Sequence, residues 1–379
     1  MKRKNVKEKR FTKRAIILTA ALSVLGTVGA VALAAWLVLG SSGLAVTFGA
    51  ALINTSFVGE YDEDEMADAA LEAMVESLGD RWSYYADAEY YEYLLEKRTN
   101  SYVGIGVTVT YEADGLHIQS VAEGGPAEEA GLLAGEIIIK ADGHDLSGDQ
   151  ANGAASYIQG EEGTTVVLTV LDGKGVSRLV EVTRARIVSS PVKAKMLDGQ
   201  IGYVALSNFY QDSGECVIAE VESLIAQGAQ GLIFDMRDNP GGYLAEMIDM
   251  LDYLLPEGPI FQSGNRRGPN YTAKSDEHFV DLPMVVLVNE NSYSAAELFA
   301  AQLRESAGAP IVGQPTCGKG HFQMTFPLPG GRGLNLSTNT YYTGAGESLI
   351  GVGINPDKVI DLMDGTDSQL EAALALLTE

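Results

Sequence analysis

Hydrophobic and polar positions divide the chain into regimes of different period. Between Ala15 and Gly59 no side chain is charged, and 15–40 is almost wholly apolar. As a helix those 26 residues would reach about 39 Å, enough to cross a hydrocarbon core with tilt. Residues 41–60 have the composition of a small-residue spacer. From Tyr61 apolar positions fall at helical intervals (Met66, Ala69, Ala70, Ala73, Met74) as far as Gly79, which can end a helix. The next stretch brings Trp82, Tyr84, Tyr85, Tyr90, Tyr91 and Tyr93, and we take 61–100 as a helical arm with an aromatic packing stripe.

The pattern then changes. Short β-rich runs are expected at Val103–Tyr111, Leu116–Val121, Glu136–Ala141, Thr164–Leu171 and Leu179–Arg184. Two short helical candidates lie among them, at Pro126–Ala130 and 151–159, so 101–186 has the pattern of a small, partly open barrel. From 187 to 379 strands and helices alternate: Ile201–Ser207, Gly214–Gln227, Gly231–Asp235, Tyr243–Leu255, Met284–Asn289 and Ala295–Ser306. That alternation predicts an α/β sheet covered on both faces.

Charge sharpens the picture. The chain of 379 residues carries a formal net charge of −25, which argues against nucleic-acid binding because nothing offsets phosphate repulsion. Yet 1–14 holds eight basic residues and one acid. A basic arm before an apolar stretch longer than a signal-peptide core predicts an uncleaved signal-anchor: 1–14 cytoplasmic, 15–40 transmembrane, the rest extracytoplasmic. Ala32 and Ala34 keep the alternative of a cleaved signal open. Cys216 and Cys317 are too few and too far apart for a disulfide framework or a thiolate metal site, and no metal or organic cofactor is expected.

One segment has the grammar of a nucleophile. The apolar strand 284–288 runs through Asn289–Tyr293 into a helix that starts at Ser294. Ser294 and Glu297 match a capping box, which a serine at a helix N-terminus fills for purely structural reasons. The same position exposes it to free N–H groups and a positive dipole, which stabilise an alkoxide or oxyanion. A base is then needed. The chain has four histidines, of which only His321 lies near another motif, while Lys319 sits between Gly318 and Gly320 ahead of an apolar strand. The run Gly313–Gly320 nearly spells a phosphate-binding loop, but Gly320 replaces the required hydroxyl and a strand follows where a helix should. Burial can bring such a lysine toward a neutral amine, and the alternative is a solvated turn lysine.

Taken together, the Ser292-x-Ser294-Ala295 turn and the Thr316-x-Gly318-Lys319-Gly320-x-x-Gln323 segment resemble the C-terminal processing peptidase family. The resemblance extends through Asp235-Met236-Arg237-Asp238-Asn239-Pro240-Gly241-Gly242. It continues in a PDZ-like series from Tyr102-Val103-Gly104-Ile105-Gly106-Val107 through Gly125-Pro126-Ala127 to Gly135-Glu136-Ile137-Ile138. It spans roughly 61–379 and implies an arm at 61–100, a PDZ domain at 101–186 (a partly open β-barrel with two helices) and a ClpP/crotonase-like α/β protease core at 187–379. It implies Ser294 as nucleophile, Lys319 as base, Gln323 as the residue that orients the lysine, and the backbone N–H groups of Gly242 (Gly241 as second choice) and Ala295 as oxyanion hole. Val103, Gly104, Ile105, Gly106 and Val107 would line the PDZ groove, with an apolar C-terminal residue preferred because no histidine opens the second PDZ helix. Departures from the family pattern are Tyr293 beside the serine, Cys317 and His321 beside the lysine, and Gln159 where a basic residue is common.

The expectation is a membrane-anchored extracytoplasmic serine endopeptidase that captures free C-termini of proteins or peptides and cleaves nearby bonds. A homodimer through the arm is left open. The alternatives are an inactive PDZ scaffold and an acyl hydrolase that uses His321.

Overall fold

A computed structural model describes residues 12–148, 155–265, 271–363 and 365–378. The chain divides into two compact units, 1–69 and 70–379. In the first, α1 (Lys13–Ser56) is one long helix interrupted at Gly40, whose φ of 66° and ψ of −175° are not helical. The expected small-residue spacer is therefore mostly helix, because its Ala and Leu residues sustain helical backbone beyond the break. Residues 17–56 are long and apolar enough to cross a membrane.

The second unit begins within α2 (Glu63–Glu76). The arm that follows is not wholly helical. Strand β1 (Tyr84–Ala86) precedes α3 (Ala88–Lys97), which Asp87 caps by accepting from the Tyr90 N–H.

The predicted small β domain comprises β2 (Ser101–Gly104), β3 (Val107–Glu112), β4 (Gly115–Val121), α4 (Pro126–Glu129), β5 (Ile137–Ala141), β6 (His144–Asp145), α5 (Ala155–Ile158), β7 (Thr165–Leu171), β8 (Ser177–Thr183) and β9 (Ala185–Val188). The expected single strand 103–111 is broken at Ile105–Gly106, where Gly106 has a φ of +80°. Its first half, β2, pairs with β9 in a separate ribbon, and its second half, β3, is an edge of the sheet β3-β4-β5-β7-β8. Leu116, Ile118, Ile138, Val166, Leu168 and Val170 fill the interior.

The remaining elements are β10 (Val192–Leu197), β11 (Ile201–Leu206), α6 (Ser213–Ala226), β12 (Gly231–Asp235), α7 (Leu244–Leu254), β13 (Gly258–Gly264), β14 (Tyr271–Ser275), β15 (Met284–Val288), α8 (Ala295–Ala307), β16 (Ile311–Gly313), β17 (His321–Pro327), β18 (Gly333–Tyr342), β19 (Lys358–Val359) and α9 (Ser368–Thr378). The central sheet runs β10-β11-β12-β15-β16-β19, parallel except for β10. Every residue of β12 and β15 is buried, as continuous apolar strands covered on both faces require. Phe209, Phe234 and Phe299 pack between sheet and helices on one face, and Ile201, Ile233, Val285 and α9 on the other. A second, antiparallel sheet joins β1 and β13 to one edge of β18 and β17 to the other.

Candidate active site

In a parallel sheet the carboxyl ends of neighbouring strands open onto one crevice. Strands β12 and β15 are such neighbours, so the turns 236–242 and 289–294 emerge side by side. Their side chains lock together: Ser292 Oγ donates to the Met236 carbonyl at 2.7 Å, and Asn289 and Asn291 both donate to Asp238 Oδ1. Those amides hold the Asp238 carboxyl below its ordinary pKa. Arg237 reaches the other way, to Asp235 and Asp367, and so ties β12 to the start of α9. Both carboxylates keep it charged although it is largely buried.

Ser294 occupies a conformation with φ 62° and ψ −120°, strained for a residue with a side chain, as the N-cap of α8. Gly241 lies directly against it. A Cβ there would stand 2.9 Å from both Ser294 Cβ and the Ala295 nitrogen. At Gly242 a Cβ would meet the Phe209 carbonyl at 2.3 Å, so backbone packing demands glycine. The Gly241 N–H donates to Asn239 Oδ1, whereas neither the Gly242 nor the Ala295 N–H makes a hydrogen bond among the described residues.

Lys319 lies on the connection between β16 and β17. The glycines on either side are fixed by close approach: a Cβ on Gly320 would collide with Ile350, and one on Gly318 would press on the backbone of 351–353. The lysine Nζ sits 4.7 Å from the centroid of the Trp82 ring and 5.6 Å from that of Tyr293. Loss of water lowers its pKa from 10.5 to about 8, against the opposing fields of Cys317, Glu297 and Asp80. Trp82 is held over it from the arm. Asn335 Nδ2 donates to the Trp82 carbonyl, Ser83 Oγ accepts from the Ser337 N–H, and β1 pairs with β18.

One buried carboxylate joins the two halves. Glu297 Oε2 accepts from the Ser294 N–H at 2.9 Å and from the Lys319 N–H at 3.0 Å, so these two nitrogens are at most about 6 Å apart. Oε1 accepts from the Gly318 N–H and the Thr316 hydroxyl. Burial raises the Glu297 pKa despite these four donors. The sequence pattern marks Glu297 only as a capping partner. Its bridging role needs the fold, and Trp82 carries no local signal for the position it takes.

The site brings Gly241, Gly242, Ser294, Ala295 and Lys319 together. It does not join Gln323 to Lys319. The Gln323 amide Nε2 donates to the His321 carbonyl and to Ser337 Oγ, and no hydrogen bond links Ser294 Oγ to Lys319 Nζ. His321 lines a polar groove of about 910 Å³ with Gln262, Ser337 and Asn339, a lining that does not include Ser294. In the small β domain Gly104, Ile105 and Gly106 are buried, and the Ile105 and Gly106 N–H groups make no hydrogen bond among the described residues. Val107 opens the edge strand, while Val103 is paired with Arg186 in the β2–β9 ribbon. The start of the second helix, 151–154, lies outside the described residues.

Residues 200–360 match the model of peptidase family S41, and 117–172 match a PDZ domain. The chain is 34% identical over 326 residues to the carboxyl-terminal-processing protease of Synechocystis, covering 82% of this chain and 76% of that one.

The chain belongs to the carboxyl-terminal processing protease family.

It is also 33% identical to carboxy-terminal processing protease CtpA of Bacillus subtilis, over 82% of this chain and 67% of the relative. Among solved structures, a photosystem II D1 C-terminal processing protease matches with a TM-score of 0.50 and 26% identity, over 85% of this chain and 89% of that one. A carboxyl-terminal processing protease is a serine peptidase, and this chain combines that catalytic domain with a PDZ domain.

Proposed function

We propose that Ser294 and Lys319 form the catalytic pair of this protease. The observation that carries the reading is the shared Glu297 Oε2, which holds the backbones of both residues at one point. Neutral Lys319 takes the Ser294 proton as Oγ attacks a peptide carbonyl. The oxyanion develops between the Gly242 and Ala295 N–H groups, which make no other hydrogen bond among the described residues. Lys319 returns the proton to the leaving amine, and water then releases the acyl group from Ser294. The lysine amine must turn from the Trp82 face toward Ser294, a movement its four rotatable bonds permit. Gln323 receives the amine on its free amide oxygen and keeps it aligned.

The partition follows the same reading: basic arm 1–14, membrane anchor 15–40, spacer 41–60, arm 61–100, PDZ domain 101–186 and peptidase core 187–379. The PDZ domain captures a free carboxylate on the Ile105 and Gly106 N–H groups and adds the peptide as a strand along β3. The basic arm stays cytoplasmic and the protease works outside, joined to the membrane by its apolar helix.

The test is turnover of an unstructured polypeptide by the full chain beside Ser294→Ala and Lys319→Ala, with products weighed by mass spectrometry. Fragments from the parent and none above background from either variant are expected; equal yields from all three would reject the pair. Capture is checked by comparing a peptide with a free carboxylate to its amidated form, which should bind at least tenfold more weakly.

A further inference from the structure

Two hydroxyls are buried without a hydrogen bond among the described residues, those of Tyr61 and Tyr341. A tyrosine ring is commonly buried, but its O–H nearly always finds a partner, so an unpaired one calls for a functional account. Tyr341 is 3% exposed and belongs to the active site. Its backbone N–H donates to the carbonyl of Gly320, the residue after Lys319. Burial, with the Glu297 charge beside it, holds its hydroxyl pKa well above the ordinary value, and Ser294 and Cys317 are its other electrostatic neighbours. A single residue of β18 is thus tied by its main chain to the lysine loop and buries an unbonded hydroxyl in the neighbourhood of the serine.

We propose that the Tyr341 hydroxyl is a positioning residue that donates a hydrogen bond to Ser294 Oγ and thereby aims the serine proton at Lys319. The inference rests on the Ser294–Lys319 reading. A serine hydroxyl has one proton and two lone pairs. Left alone it rotates, and its proton finds any acceptor in reach. A donor that occupies a lone pair on one side leaves the proton for the amine on the other, and it stabilises the negative charge that grows on Oγ during attack. Tyr341 can only donate here. Burial and the Glu297 charge push its pKa well above the usual value, so it stays protonated wherever the enzyme works. No proton leaves the tyrosine: the O–H bond broken is that of Ser294, and the N–H bond formed is on Lys319.

The decisive variant is Tyr341→Phe in the full chain, which keeps the ring and removes the oxygen. Three quantities are read: kcat and KM on an unstructured peptide, the rate of Ser294 labelling by a fluorophosphonate with the site located by mass spectrometry, and Tm. The inference expects kcat and labelling to fall together by about 10- to 100-fold with KM within twofold. It also expects Tm to stay within about 3 °C of the parent, because the ring that fills the core is kept and only one hydrogen bond of about 1 kcal/mol is removed. Unchanged kcat and labelling, with the label on Ser294, would overturn the role of Tyr341 and leave the catalytic pair standing. A label on another residue of the parent would remove the pair and this inference with it. A loss of activity matched by a fall in Tm would make the hydroxyl a packing element and also overturn the proposal.

Discussion

Replacing Lys319 with methionine removes a charge that the fold holds at a cost. The ammonium is largely out of water, and its folded pKa is about 8 against 10.5 in an open chain. Holding the ammonium there is disfavoured by about 3 kcal/mol relative to the open chain. The faces of Trp82 and Tyr293, at 4.7 and 5.6 Å, are among the surfaces that keep water from the amine. The whole of this penalty is present at neutral pH.

Its pH dependence has a definite sign. The unfolded chain binds the extra proton throughout the interval from pH 8 to 10.5, so the parent gains stability as pH rises through that window. Below pH 8 both states are protonated and the penalty is present in full. Lys319→Met should therefore be inactive yet unfold about 5 °C higher than the parent at pH 7, with the gap closing toward pH 10. The same titration is visible directly. The chain has two tryptophans, and Trp82 faces the amine while Trp36 lies in the apolar helix, so intrinsic fluorescence should titrate near pH 8 in the parent and lose that step in the variant. The acid limb of kcat/KM should share its midpoint. Equal melting temperatures at pH 7, or a variant that melts lower there, would refute the view of Lys319 as a desolvated base.

Three further perturbations test the frame around the pair. Gly241→Ala places a methyl 2.9 Å from Ser294 Cβ and the Ala295 nitrogen at a φ of +83°, so kcat should fall at least 100-fold on the peptide assay, far more than any change in KM. Glu297→Gln turns an amide NH2 toward backbone donors and loses bonds to both loops; steady-state kinetics should show kcat lower by about 10- to 100-fold, and denaturant unfolding a loss of about 2 kcal/mol. Arg237→Met leaves Asp235 and Asp367 unpaired at the root of α9, which should cost about 3 kcal/mol in the same unfolding assay and make 368–378 the first segment cut by limited proteolysis.

The parts of this molecule that are legible in its sequence are those whose chemistry is local. Ser294 is visible because an apolar strand, a tight turn and a helix start lie within a dozen residues, and Lys319 because close backbone approach forces glycine on both sides of it. The central sheet is legible for the same reason, since β15 is an unbroken apolar run and β12 is one as far as Asp235. The antiparallel sheet is not. It pairs Tyr84 with Asn335 across 250 residues, and no local period announces such a partner. That sheet supplies the surroundings of the site: Trp82, held beside β1, covers the lysine, and Tyr341, on β18, bonds to the lysine loop through its N–H. The helical arm expected over 61–100 also contains a short strand, β1, because aromatic residues suit a helical stripe and a strand equally well. Residue type and turn chemistry thus name the proposed reacting groups, whereas the burial that lowers the lysine pKa to about 8 is set by side chains delivered from distant parts of the chain. Exchanging Trp82 or Tyr341 should accordingly alter the rate and its pH profile while Ser294 remains the residue that is acylated.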